Sequence, residues 1–219
     1  MRVAIIEGDG IGHEVIPPAR EAIHIIRPDI EFFEVEAGFD RWQRSGEAIT
    51  EDDIALLSTA DSILFGAVTT PPSRDYRSVI VRIRKELDLY ANVRPVWGEG
   101  FDIIVVRENT EGLYSGLEKI EHDSACTLRC ITRKGSERIA RYACTLARRR
   151  RDITIGHKAN ILKSDVFFRD ICLEEARKAA IQVKERFIDA LCLDVLQHPD
   201  RYDVIVTTNM FGDILSDVT

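Results

Sequence analysis

Short β-branched runs alternate with longer amphipathic stretches along nearly the whole chain. Residues 3–6 form a strand-length apolar run, followed by a helical pattern over about 11–26 and a second strand over 31–35. A helix near 51–60 precedes the apolar run 62–65, and a longer helix is predicted over about 76–89. After Pro95 the pattern restarts, with a strand at 103–106, a glycine-containing passage at 109–116 and an exposed strand at 126–132. An amphipathic helix is predicted over 136–150. The segments 153–157, 166–180, 184–188, 190–197 and 204–207 complete the alternation. Strands alternating with helices in this way indicate an α/β fold around a largely parallel sheet. The stretch 94–100, Arg-Pro-Val-Trp-Gly-Glu-Gly, breaks the periodicity. It is the expected boundary between a first domain, 1–94, and a second, 95–219. Residues 209–218 read as a strand-to-helix turn and the start of a helix, so the chain is expected to be cut within a domain.

Composition narrows the function classes. The chain has 219 residues, 45% hydrophobic and 31% charged, with a net charge of −7. That balance argues against nucleic acid and anionic membrane surfaces as partners. No apolar run approaches the roughly 18 residues of a membrane span. Met1-Arg2 leads at once into a strand, leaving no room for a signal peptide. Cys126, Cys130, Cys144, Cys172 and Cys192 are odd in number and contain no C-x-x-C pair. Zinc sites of the usual spacing are thereby excluded, and reduced thiols in a cytoplasmic protein are expected.

Four constellations carry candidate chemistry. Glu7-Gly8-Asp9-Gly10-Ile11-Gly12 follows the first strand. Its glycines suit close backbone approach, but the spacing is not the dinucleotide fingerprint, and Glu7 and Asp9 would repel a pyrophosphate. A bare tight turn and a loop touching a sugar or ring both remain open. Arg84, Arg94 and Arg107 could cradle a small polycarboxylate, and Arg107 lies where α/β sheets bind ligands, at a strand's carboxyl end. The alternative for each is a solvated surface group. Asp213 and Asp217 are spaced i, i+4 and share a helix face. They suit Mg²⁺ or Mn²⁺, or merely sit well near a helix N-terminus, and Asp189 is a candidate third ligand. Lys158, in Gly156-His157-Lys158-Ala159-Asn160, is a candidate general base or a surface lysine, and Tyr114 a candidate acid or a packing residue. Residues 148–151 read as a solvent-exposed cap at a helix C-terminus. His13-Glu14 lacks the second histidine of a metalloprotease helix.

Taken together, these blocks resemble the β-decarboxylating dehydrogenases, the isocitrate/isopropylmalate/homoisocitrate dehydrogenase family. The blocks are Ile-Glu-Gly-Asp-Gly-Ile-Gly (6–12), Leu-Asp-Leu-Tyr-Ala-Asn-Val-Arg-Pro (87–95), Val-Arg-Glu-Asn-Thr-Glu-Gly-Leu-Tyr (106–114), His-Lys-Ala-Asn (157–160) and Asn-Met-Phe-Gly-Asp-Ile-Leu-Ser-Asp (209–217). They run in family order along essentially the whole chain. The resemblance implies an isopropylmalate dehydrogenase-like two-domain α/β fold and a homodimer that shares its active sites. It implies that Arg84, Arg94 and Arg107 hold the malate carboxylates and that Asp213 and Asp217 bind Mg²⁺ or Mn²⁺. Asp189 and Lys158 would be delivered by the second subunit, Lys158 taking the hydroxyl proton. Tyr114 would protonate the carbanion carbon, and Ile11 and Thr69 would contact the NAD cofactor. Residues 117–131 would form an arm interlocking two subunits.

The segment 76–84 bears on the substrate. Ser78 matches a serine that holds the distal carboxylate in isocitrate enzymes, whereas Ile80 and Val81 suit an isopropyl group. Arg77 and Arg82 could replace the arginine that some homoisocitrate enzymes place at position 81. The expected substrate is 3-isopropylmalate or homoisocitrate, in amino-acid or 2-oxoacid biosynthesis, with isocitrate third. Family chains are about half as long again, and their further part carries the His-Gly-Ser-Ala-Pro-Asp loop that binds the adenosine half of the cofactor and decides NAD against NADP. The first domain is therefore expected to lack its second half. A non-enzymatic alternative is a truncated dimerising fragment or subunit.

Overall fold

A computed structural model describes residues 1–72, 76–147 and 152–219. The expected helix cap at 148–151 lies outside them. The chain divides into two compact units, Met1–Asp88 and Leu89–Thr219.

The first unit runs β1 (Arg2–Ile6), α1 (Gly12–Ile26), β2 (Glu31–Glu34), α2 (Phe39–Ser45), α3 (Glu51–Leu57), β3 (Ser62–Phe65) and α4 (Val79–Glu86). Its three strands are parallel in the order β2-β1-β3. Alternation along β1 puts Ala4 and Ile6 on one face, where they pack with Ile54 and Leu57 of α3 and Val79 and Ile83 of α4. A reciprocal cap between Thr50 and Asp53 starts α3. The helix expected over 76–89 is shorter, because Asp88 takes a left-handed φ of 49° just past its end. The seven-residue α2 is too short for a helical period to show in sequence.

The second unit runs β4 (Ala91–Gly98), β5 (Phe101–Glu108), a 3-10 turn at Leu113–Ser115, β6 (Glu118–Ile120), β7 (Ala125–Thr127), α5 (Arg133–Ala147), β8 (Asp152–His157), α6 (Lys163–Lys178), β9 (Gln182–Phe187), α7 (Ile188–Gln197), β10 (Val204–Thr207) and α8 (Asn209–Val218). Its main sheet has the order β4-β5-β10-β8-β9, with β4 antiparallel to β5 and the other pairings parallel. Val106, Ile153, Ile155 and Val206 face α5 and α6, where they meet Ile139 and Phe168. Ile103, Val105 and Ile205 face α7 and α8, where they meet Leu191 and Leu215. Coverage on both faces explains why the inner strands β5, β8 and β10 read as apolar runs, whereas the exposed edge strand β9 does not.

The domain boundary expected at 94/95 falls inside β4. Arg94-Pro95 looks like a breaker, but β4 is an edge strand, where a missing proline N–H leaves no ladder bond unmade. The exposed strand expected over 126–132 is a short hairpin instead, β6 against β7. No helix among the described residues is long and apolar enough to cross a membrane.

Candidate active site

In the first unit, the β1–α1 turn is held by the chain itself. The buried Asp9 carboxylate accepts the main-chain N–H groups of Phe39 (2.9 Å), Asp40 (2.9 Å) and Thr69 (2.7 Å). A Cβ on Gly8 would stand 1.9 Å from the Ala67 carbonyl oxygen, and one on Gly12 would stand 2.0 Å from that of Glu7. The close approach that demands glycine is therefore to the protein's own backbone, which favours the tight-turn reading over the dinucleotide fingerprint. Gly10 alone in this turn has open space beside it, and the neighbouring Ile11 is exposed. Thr69 spends its N–H on Asp9 and leaves its side chain exposed. His13 Nδ1 bonds Glu7 at 2.9 Å, which holds its pKa above the usual histidine value.

Ser78 precedes α4 and makes no capping bond with its side chain. On α4 the buried Val79 and Ile83 face the core, so Ile80, Val81 and Arg84 share the opposite side. Arg82 is engaged elsewhere, donating to the Ile49 carbonyl at 2.7 Å and pairing with Glu51.

In the second unit, the candidate residues stand at the carboxyl ends of the parallel strands. Arg107 ends β5, Lys158 follows β8, Asp189 follows β9, and α8 with Asp213 and Asp217 follows β10. The Arg107 guanidinium is almost wholly buried. Its Nε and Nη2 donate to Asn209 Oδ1 at 2.9 and 2.8 Å, and its Nη1 pairs with Asp213. Tyr114 donates its hydroxyl to the other Asp213 oxygen at 2.8 Å, with its ring 5.5 Å from the Arg107 guanidinium. Burial, reinforced by Asp213, pushes the Tyr114 pKa above the usual phenol value and keeps the group a proton donor. Asp217 lies one turn further along α8 and is exposed.

Lys158 Nζ pairs with Asp189 at 2.7 Å, and that bond lowers the Asp189 pKa below the usual carboxylate range. Arg94 donates to Asn92 at 3.0 Å. Asn92 lies opposite Arg107 in the sheet, so Arg94 and Arg107 point to the same face.

The structure thus brings Arg107, Tyr114 and Asp213 into one bonded cluster and joins Lys158 to Asp189. Among the described residues no bond links the two sets. No group of three His, Cys, Asp or Glu side chains among them could hold a metal ion. Asn209, buried between Arg107 and the Glu111 carbonyl, was not singled out as a site residue. Nor were Asp165, which accepts the main-chain N–H of Lys158, and Arg129, which pairs with Asp165. A polar asparagine opening the block 209–217 was a signal for the first. Arg129 carries none.

The isocitrate/isopropylmalate dehydrogenase family model matches residues 2–219. The chain belongs to that family. It is 46% identical to an isocitrate/homoisocitrate dehydrogenase of Pyrococcus horikoshii over 221 residues, covering 99% of this chain and 64% of the relative. It is 42% identical to a 3-isopropylmalate dehydrogenase of Archaeoglobus fulgidus, covering 99% and 69%. The apo structure of a β-decarboxylating dehydrogenase from Thermococcus kodakarensis superposes with a TM-score of 0.86 at 43% identity, over 99% of this chain and 67% of the other. The chain therefore shows the two-domain α/β fold of the isocitrate/isopropylmalate dehydrogenase family and spans about two-thirds of the length of these relatives.

Proposed function

We propose that this protein is an NAD- and Mg²⁺-dependent dehydrogenase that oxidatively decarboxylates a 3-substituted malate, either 3-isopropylmalate or homoisocitrate. It would act in the cytoplasm, in amino-acid or 2-oxoacid biosynthesis, as a homodimer with shared active sites. The observation that carries this reading is the bonded cluster of Arg107, Asn209, Asp213 and Tyr114 at the sheet's carboxyl edge. It sets a rigid guanidinium for a substrate carboxylate beside a carboxylate for a cation and a protonated phenol.

The residues fit a divalent cation in part. Asp213 and Asp217 offer hard oxygen donors on one face of α8, suited to Mg²⁺ or Mn²⁺. Both Asp213 oxygens already have partners, so a cation there would exchange with Arg107 and Tyr114. A third carboxylate would come from Asp189 of a second copy, since no three-ligand group forms among the described residues. The β1–α1 turn fits a flat ring laid over Ile11 and Thr69 better than a pyrophosphate, given the carboxylates of Glu7 and Asp9. When bound, NAD supplies the hydride acceptor and the cation supplies positive charge at the reacting oxygen.

The chain's own groups do the rest. Arg84, Arg94 and Arg107 hold the carboxylates of the malate core. Lys158, as the neutral amine, takes the proton of the C2 hydroxyl; its ion pair with Asp189 would be given up when Asp189 turns to the cation. Tyr114 returns a proton to C3 once carbon dioxide has left.

Substrate choice rests on α4. Its exposed Val81 and half-buried Ile80 suit an isopropyl group, whereas the Ser78 hydroxyl, which does not cap α4, and the exposed Arg77 suit a distal carboxylate. The commitment of Arg82 to Ile49 and Glu51 removes it as that carboxylate's partner.

The test is NADH or NADPH formation with Mg²⁺ against 3-isopropylmalate, homoisocitrate and isocitrate. Turnover of one of the first two supports the proposal and names the substrate. Preference for isocitrate overturns the substrate assignment. A folded, dimeric preparation that turns over none of them favours a non-catalytic dimerising subunit.

A further inference from the structure

Asp165, in the first turn of α6, is wholly buried and has both carboxylate oxygens committed. One accepts the main-chain N–H of Lys158 at 2.7 Å, and the other takes the Arg129 guanidinium at 2.5 Å. Arg129 also donates to Ser164 Oγ at 2.6 Å and to Thr208 Oγ1 at 3.0 Å. Its guanidinium lies 5.4 Å over the ring of Phe211. Thr208 is the residue from which α8 starts, and Phe211 is in the first turn of α8. One ion pair therefore reaches both strand-end turns that present candidate catalytic groups, the β8–α6 turn with Lys158 and the β10–α8 turn leading to Asp213.

Arg129 itself lies just past the β6–β7 hairpin. Leu128 donates to the Leu117 carbonyl at 2.8 Å, and Gly112 donates to that of Cys130 at 2.9 Å. The hairpin base is thus bonded on either side of the arginine. A buried ion pair is weak evidence for stability by itself, because desolvating two charges offsets much of their attraction. Its geometric effect is stronger, since a guanidinium with three fixed acceptors leaves the turns little freedom.

We infer that the buried Arg129–Asp165 pair is a positioning device: it fixes the main chain at Lys158 and the entry to α8 together, and ties both to the base of the β6–β7 hairpin. Neither residue touches a reacting atom. The inference rests on the proton-transfer role proposed for Lys158.

The experiment uses the catalytically competent protein with Arg129→Met, Arg129→Lys, the double variant Arg129→Met/Asp165→Asn, and Lys158→Met as control. Arg129→Met is expected to lower kcat by about 100-fold with KM nearly unchanged, the effect of a misplaced group of about 1 Å. Arg129→Lys, which keeps the charge pair, is expected to recover most of that loss. The double variant removes both buried charges and is expected to regain thermal stability while kcat stays low. Recovery of kcat in the double variant, or a rise in KM with kcat intact, would show a merely structural pair and overturn the inference.

Amide hydrogen exchange reads the same device without turnover. In Arg129→Met the amides of Lys158 and Gly212 are expected to exchange faster together, and acceleration confined to the hairpin would overturn the inference. Wild-type activity in Lys158→Met would instead overturn the proposed role of the lysine. The exchange result would then decide the positioning claim alone.

Discussion

Three main-chain N–H groups, two from the start of α2 and one from the loop after β3, converge on the Asp9 carboxylate, so the side chain acts as a bracket for the β1–α1 turn. An amide there would turn its NH₂ towards at least one of those donors and leave it unmet. Asp9→Asn is expected to lose about 1–3 kcal/mol, the cost of a buried donor left without a partner, as read by urea unfolding. An unchanged midpoint would mean that water replaces the carboxylate. His157 gives a pH dependence of definite sign. Burial outweighs the nearby Glu185 and lowers its pKa below 6.5, so the unfolded chain binds the proton more readily than the folded one. Its contribution is intact above pH 6.5 and is lost as pH falls from there towards the depressed folded value. Unfolding followed from pH 7.5 to 5 is expected to show a steeper loss in the wild type than in His157→Gln. Equal slopes would show that the imidazole does not titrate differently in the two states.

Within elements, the regular parts were the most legible. The run 204–207 coincides with β10, because a strand covered on both faces has no polar position to blur it. β4 was not legible, since Pro95 and the exposed Trp97 belong to an edge whose pairing depends on β5. The site shows the same division. The residue types at 107, 114, 158, 213 and 217 stand out by motif and Asp189 only by its place ahead of a helix, but the partner each one chooses follows from register. Thr207 lies beside Arg107 in the β10–β5 ladder, and that alignment is what delivers Asn209 to the guanidinium. Gly212 repeats the lesson inside α8. Glycine to alanine in a helix ordinarily gains about 0.5–1 kcal/mol. Here the added Cβ would stand 2.6 Å from the Arg107 Cβ and 2.7 Å from its Cγ. Gly212→Ala is therefore expected to reverse the usual sign and cost about 1–3 kcal/mol by overpacking. It should also displace Arg107 from Asn209, and a stabilised variant with an unperturbed site would refute the close packing.

For the molecule as a whole, the side of α7 and α8 turned away from the core is instructive. Asp189, Leu193 and Leu196 follow the i, i+4, i+7 spacing of a single helix face. Leu193 and Leu196 are 58% and 61% exposed. On α8, Ile214 is 51% exposed beside Asp213 and Asp217. Exposed apolar stripes beside carboxylates suit a face that a second copy covers. A two-fold contact there would bring one subunit's Asp189 and Lys158 towards the other's Asp213 and Asp217, which one chain keeps apart. Sedimentation is expected to give a dimer at micromolar concentration. Leu193→Glu with Leu196→Glu should shift it to monomer and abolish Mg²⁺ binding without unfolding the second unit. Retained Mg²⁺ binding by such a monomer would mean that one chain completes the cation site alone, and would remove the strongest reason for a shared active site.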